Sequence, residues 1–81
     1  MELKDTIELM NSSNYQDRLK AEYYQTKIRY DKLCATLDKA YAHELDFELP
    51  CPKDLYNSQL HFMKCYLEML ETRAKVEGIK F

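Results

Sequence analysis

Between positions 18 and 32 the chain carries five cations, Arg18, Lys20, Lys27, Arg29 and Lys32, against two anions, Glu22 and Asp31, with Tyr23, Tyr24 and Tyr30 set among them. Guanidinium and ammonium groups donate charge-assisted hydrogen bonds to phosphate, and a phenol ring offers a flat face on which a base stacks. This is the mix a nucleotide site draws on. The same charges also suit the solvated side of an amphipathic helix, where interleaved cations and anions are ordinary. Catalytic chemistry finds no constellation. Ser12, Ser13 and Ser58 lack a glycine elbow, and a chain whose one glycine is Gly78 has no phosphate-cradling glycine loop. His43 and His61 share no ligand spacing with each other or with a cysteine, and His43-Glu44 lacks the second histidine of a zinc-protease motif. A binding protein with no catalytic residue, no metal and no cofactor is expected.

Two runs must position these groups. Leu19, Tyr23, Thr26, Tyr30, Leu33, Leu37 and Ala40 recur at steps of four and three, as do Tyr56, Leu60, Met63, Leu67, Leu70 and Ala74. That spacing puts each set on one face of a helix. The expected fold is all-α: an antiparallel two-helix hairpin, helix one at 14–45 and helix two at 53–78, joined by a turn at 46–52. Ser13 with Gln16 fits a capping box at the start of helix one. Pro50 and Pro52 break the helical pattern at the turn, and Gly78 suits a left-handed stop. Leu3, Ile7 and Met10 share a helical spacing, so 1–12 is expected to hold a short amphipathic helix.

A second apolar stripe, Tyr24, Ile28 and Ala35 on helix one with Phe62, Tyr66, Met69 and Val76 on helix two, widens the apolar face beyond what one helix covers. A homo-oligomer completes such a core, and the apolar tail Ile79-Lys80-Phe81 is expected to dock across a partner. With the turn centred near Glu48, antiparallel register sets Tyr24 near Arg73, Glu22 near Lys75 and Asp31 near Tyr66. The open end then gathers Tyr15, Arg18, Tyr24, Lys27, Tyr66 and Arg73 as the candidate ligand-binding set.

Composition narrows the partners. A net charge of −2 and a pI near 5.6 give no bulk attraction to a DNA or RNA polymer or to an anionic membrane. No apolar run approaches the roughly 18 to 20 residues of a membrane span, and the first residues do not form a signal peptide. Cys34, Cys51 and Cys65 form no CxxC pair and leave one over, which suits reduced thiols in a cytoplasmic protein.

The run Tyr15-Gln16-x-Arg18-Leu19-x-x-Glu22, then Lys32-Leu33 with Leu37, and Gln59-Leu60-x-x-Met63-x-x-Tyr66-x-x-x-Leu70-x-x-Arg73 resembles the small phage proteins grouped as relatives of a crAss-like phage gene product. The likeness covers most of 14–78 and leaves out 1–13 and 42–54. Phage helical hairpins of similar size include oligomeric sponges that sequester nucleotide second messengers, cyclic oligonucleotides of CBASS defence or cyclic ADP-ribose-type signals of Thoeris defence. The resemblance implies an anti-defence protein in the bacterial cytoplasm during infection that binds its own copies and a small nucleotide signal without turnover. The other class consistent with the residues is a non-catalytic helical oligomerisation or adaptor module that binds a host or phage protein.

Overall fold

Helix one starts where a side chain replaces the missing backbone partner of its first turn. The Asn14 side chain accepts from the Gln16 amide at 2.8 Å while its own backbone is extended, so Asn14 is the cap. The expected Ser13 box is displaced by one residue. Ser12 fixes the loop instead, its hydroxyl donating to Asp17 at 2.8 Å and accepting from the Asn14 amide at 3.0 Å. The computed structural model describes residues 1–81 as a 3-10 turn at Leu3–Thr6 running into helix α1 at Ile7–Met10, then α2 at Tyr15–Tyr41 and α3 at Lys53–Glu77, with no strand. Helices α2 and α3 pack on each other in a body of 43 × 24 × 16 Å, and the N-terminal segment packs on α2.

Helix α2 stops four residues before the expected Leu45. His43 takes the left-handed conformation at φ 57, its amide donates to the Ala40 carbonyl, and the Glu44 amide reaches back to Lys39 at 2.8 Å. This is a Schellman closure built on a residue other than glycine, which no glycine or proline in the sequence announced. Helix α3 ends the same way with the expected glycine. Gly78 sits at φ 71, and the Ile79 amide donates to Ala74 at 2.8 Å.

That turn sends the tail back over its own chain. Ile79 is buried with Leu19, Leu70 and Ala74, and Phe81 stacks on Tyr23 with ring centroids 4.0 Å apart. The expectation that the tail docks across a partner is thus corrected: the closure that satisfies the last carbonyls of α3 also delivers Ile79 to the seam. A Cβ at Gly78 would meet no atom within 4 Å, so only backbone strain opposes a side chain there. Gly78→Ala is expected to cost about 1–2 kcal/mol, seen as a lower thermal midpoint with unchanged helix content.

The seam residues Leu19, Leu37, Ala40, Leu67, Leu70 and Ala74 are buried, while Thr26, Tyr30, Leu33, Tyr56, Leu60 and Met63 are half-buried, because each helix shields only one side of the other. The N-terminal segment covers a different side of α2. Ala21 projects away from α3, since it lies about 200° around the helix from Leu19, yet it is fully buried, as is Thr6. The segment packs on the hairpin, one of the two expected placements beside packing on a neighbour; of its apolar row Leu3 is half-buried while Ile7 and Met10 are exposed. The 3-10 start turns Thr6 inward, and its hydroxyl can be buried because it donates to the Leu3 carbonyl at 2.7 Å.

Candidate ligand-binding site

Arg18 and Lys27 are nine positions apart, about two and a half turns, so they leave α2 on opposite sides. The expected six-residue set therefore divides between two flanks of the hairpin.

Arg18, Glu22, Gln25 and Arg29 follow one another at steps of four, three and four and form one flank with Gln59, Tyr66 and Arg73 of α3. Between the helices on this flank lies an open groove of about 530 Å³. Leu33 and Met63 supply its apolar lining, and Gln25, Arg29, Tyr56 and Gln59 bring two amides, a guanidinium and a phenol to it. The chain's three ion pairs, Lys4–Glu2, Lys27–Asp31 and Arg73–Glu77, leave the Arg29 guanidinium free.

Toward the open end the same flank is internally bonded. The Tyr66 hydroxyl donates to Glu22 at 2.6 Å; that bond first, and burial second, push the Tyr66 phenol above its usual range. Arg73 donates to the Tyr15 hydroxyl and, through Nε, to Glu77 at 3.4 Å. Arg18 donates from Nη1 to the Ser12 carbonyl at 2.9 Å and so pins the loop ahead of α2.

The other flank holds Tyr24 and Lys27. Tyr24 sets its edge against Tyr23 at 5.6 Å and against Phe81 at 6.1 Å. Lys27 pairs with Asp31 at 3.1 Å and lies over the Tyr30 ring at 5.6 Å. Tyr23 closes the seam here, donating to Glu71 at 3.0 Å; burial and then that bond raise its phenol pKa.

The expected cross-helix pairs are corrected. Tyr66 meets Glu22 and not Asp31, and Arg73 meets Tyr15 and not Tyr24. Near the turn Asn57 donates to the Tyr41 hydroxyl at 2.8 Å, close to the expected level. Toward the open end the partner on α2 lies nine positions closer to the start of the helix than expected, Glu22 in place of Asp31 and Tyr15 in place of Tyr24.

A family model described as Sequestin matches residues 13–76, which takes in α2, the connection and nearly all of α3. The chain belongs to the Sequestin family. No curated protein and no solved structure matches it. In this Sequestin the matched stretch contains both flanks and the groove, and leaves outside it the 3-10 turn, α1 and the tail. Gln25, Arg29, Tyr56 and Gln59 were not in the expected set, although the spacing from Arg18 to Arg29 marks the first two as sharing its flank. No helix of this Sequestin is long and apolar enough to cross a membrane, and no group of three His, Cys, Asp or Glu side chains is placed to hold a metal ion.

Proposed function

We propose that this Sequestin binds a phosphate-containing nucleotide messenger in the groove between α2 and α3 and holds it without turnover, as a phage-encoded inhibitor of bacterial immunity acting in the host cytoplasm. The observation that carries this reading is the unpaired Arg29 guanidinium beside two side-chain amides and a phenol, in a groove whose volume of about 530 Å³ falls within the usual range for small-molecule sites. Arg29 supplies charge for phosphate, Gln25 and Gln59 donate to and accept from a base or ribose, and Tyr56 offers a ring for stacking. Tyr15, Arg18, Tyr66 and Arg73 extend the site toward the open end. Arg18, Arg73 and Tyr66 now donate to a backbone carbonyl, a phenol and carboxylates, acceptors whose place phosphate oxygens can take.

The family name supports sequestration, and the resemblance to phage hairpins supports cyclic ADP-ribose-like signals or cyclic oligonucleotides as the ligand class. A groove open on one side is completed by a second copy of the chain. Sequestration needs nanomolar to micromolar affinity, roughly −12 to −8 kcal/mol, and no catalytic group.

Calorimetry against cyclic ADP-ribose isomers and cyclic di- and trinucleotides tests this, with mass spectrometry of the ligand recovered after denaturation. Saturable binding and an unchanged ligand mass are the expected results. If none binds more tightly than about 10 µM, near −7 kcal/mol, the groove is not a messenger site. The reading as a non-catalytic helical oligomerisation or adaptor module then takes over, favoured by the exposed apolar residues Leu55, Phe62 and Met69 on α3, which suit an oligomer seam.

A further inference from the structure

Helix α3 carries a second periodicity beside the one that packs it on α2. Leu55, Phe62, Met69 and Val76 recur every seven residues, and Ser58, Cys65 and Thr72 stand three residues after the first three of them. One row is large and apolar, the other small and uncharged, in a chain of which 32% of the residues are charged. The large row points away from α2: Leu55 is 57% exposed, Phe62 70%, Met69 50% and Val76 82%. Among the helices only α2 packs on α3, so no part of the chain covers these rows. A sustained seven-residue repeat of this kind is the seam of a left-handed coiled coil.

The chain as a whole exposes more area than its mass predicts. A compact folded chain of 9.7 kDa is expected to expose about 5100 Å². This one exposes 5933 Å². The surplus, about 800 Å², is what a standard protein interface takes from each partner.

We infer that two copies of the chain pair through α3 in antiparallel orientation, with Phe62 of each against the partner's Cys65. Antiparallel pairing across a two-fold axis sets large residues against small ones: Leu55 meets the partner's Thr72 and Met69 meets the partner's Ser58. Parallel pairing would stack Phe62 on Phe62 and leave small residues facing small ones. The flanking charges select the register. With Phe62 against the partner's Cys65, Asp54 lies beside the partner's Lys75 and His61 beside the partner's Glu68, each contact occurring twice. Sliding by one repeat would bring Glu68 against the partner's Glu68 in one direction and Asp54 against the partner's Glu68 in the other, where like charges oppose each other.

This pairing also completes the site. Gln59 lines the groove, and Tyr66 follows it by one repeat on the side of the seam that faces α2, so the partner's Tyr66 comes beside Gln59. The inference specifies the second copy invoked under the proposed function but holds whatever the groove binds, so the two can fail separately.

Sedimentation equilibrium of the full chain at micromolar concentration is expected to give twice the 9.7 kDa chain mass. Phe62→Glu is expected to return the mass to that of one chain with the helical circular dichroism unchanged, because within the monomer the exposed Phe62 ring meets only the edge of its neighbour His61. Cysteine trapping reads the orientation. In a chain carrying Cys34→Ser, Cys51→Ser, Cys65→Ser, Leu55→Cys and Thr72→Cys, which keeps Phe62 and sets its two thiols too far apart along one helix to join within a chain, mild oxidation is expected to join position 55 to the partner's position 72, identified by peptide mass spectrometry. A wild-type mass other than two chains, a dimer that survives Phe62→Glu, or cross-links that join only position 55 to 55 and 72 to 72 overturns the antiparallel pairing.

Discussion

Leu70→Ala is expected to remove a large part of the stability of the fold, about 2.7–5 kcal/mol. The Leu70 side chain is fully buried, within the cluster that joins Leu19 of α2 to Ala74 of α3 and to Ile79 of the tail. Truncation there leaves a cavity at the point where α2, α3 and the tail come together, and neither helix can close it alone. A chain of 81 residues has roughly 4–12 kcal/mol to lose. The variant is therefore expected to melt more than about 10 °C lower than the wild type. Urea unfolding followed by circular dichroism measures the change. A loss under about 1 kcal/mol, the range of ordinary surface substitutions, would show that the hairpin is not held together at Leu70.

Arg29→Ala is expected to weaken messenger binding by about ten- to a hundredfold, the value of a charge-assisted hydrogen bond near 1.5–3 kcal/mol. The effect should appear in calorimetry with whichever messenger the wild type binds, and without a change in unfolding midpoint, since Arg29 makes no ion pair. Lys27→Ala provides the contrast. It removes the same charge two positions away but on the far flank, where Lys27 is paired with Asp31. Its expected effect on affinity is within about twofold, the scale of a screened surface charge. Equal losses from the two substitutions would mean that general positive charge, and not the groove, attracts the ligand. Arg73→Ala should weaken binding in the same direction while also freeing Tyr15 and Glu77.

The helical seam was legible because periodicity records burial directly, and the buried residues Leu19, Leu37, Ala40, Leu67, Leu70 and Ala74 all lie on the two expected stripes. Gly78 was legible for a similar reason, since only glycine enters the left-handed region at no steric cost. His43 was not. A side chain forced to φ 57 leaves no mark in the sequence, so α2 was expected to continue to Leu45. Thr6 misled for a different reason. A hydroxyl reads as surface until its own turn is seen to satisfy it, so the buried Thr6 went unmarked beside the apolar row Leu3, Ile7 and Met10. The candidate site was legible as a mixture of residue types but not as a place. Arg18 and Lys27 are close in sequence and opposite in space, and treating the open end as one point merged two flanks.

The best-buried cluster joins Leu19 to Leu70, Ala74 and Ile79 and so lies at the end of the hairpin farthest from its connection. Such a hairpin is clasped at its free ends by contacts among the most distant along the chain, while Leu37, Ala40 and the Asn57–Tyr41 bond hold the helices together on their side of the bend. Loop closure grows only with the logarithm of length, so doubling the 42–52 connection would cost about 0.6 kcal/mol. The bend is where relatives of this chain can differ most in length and still present the same two helices.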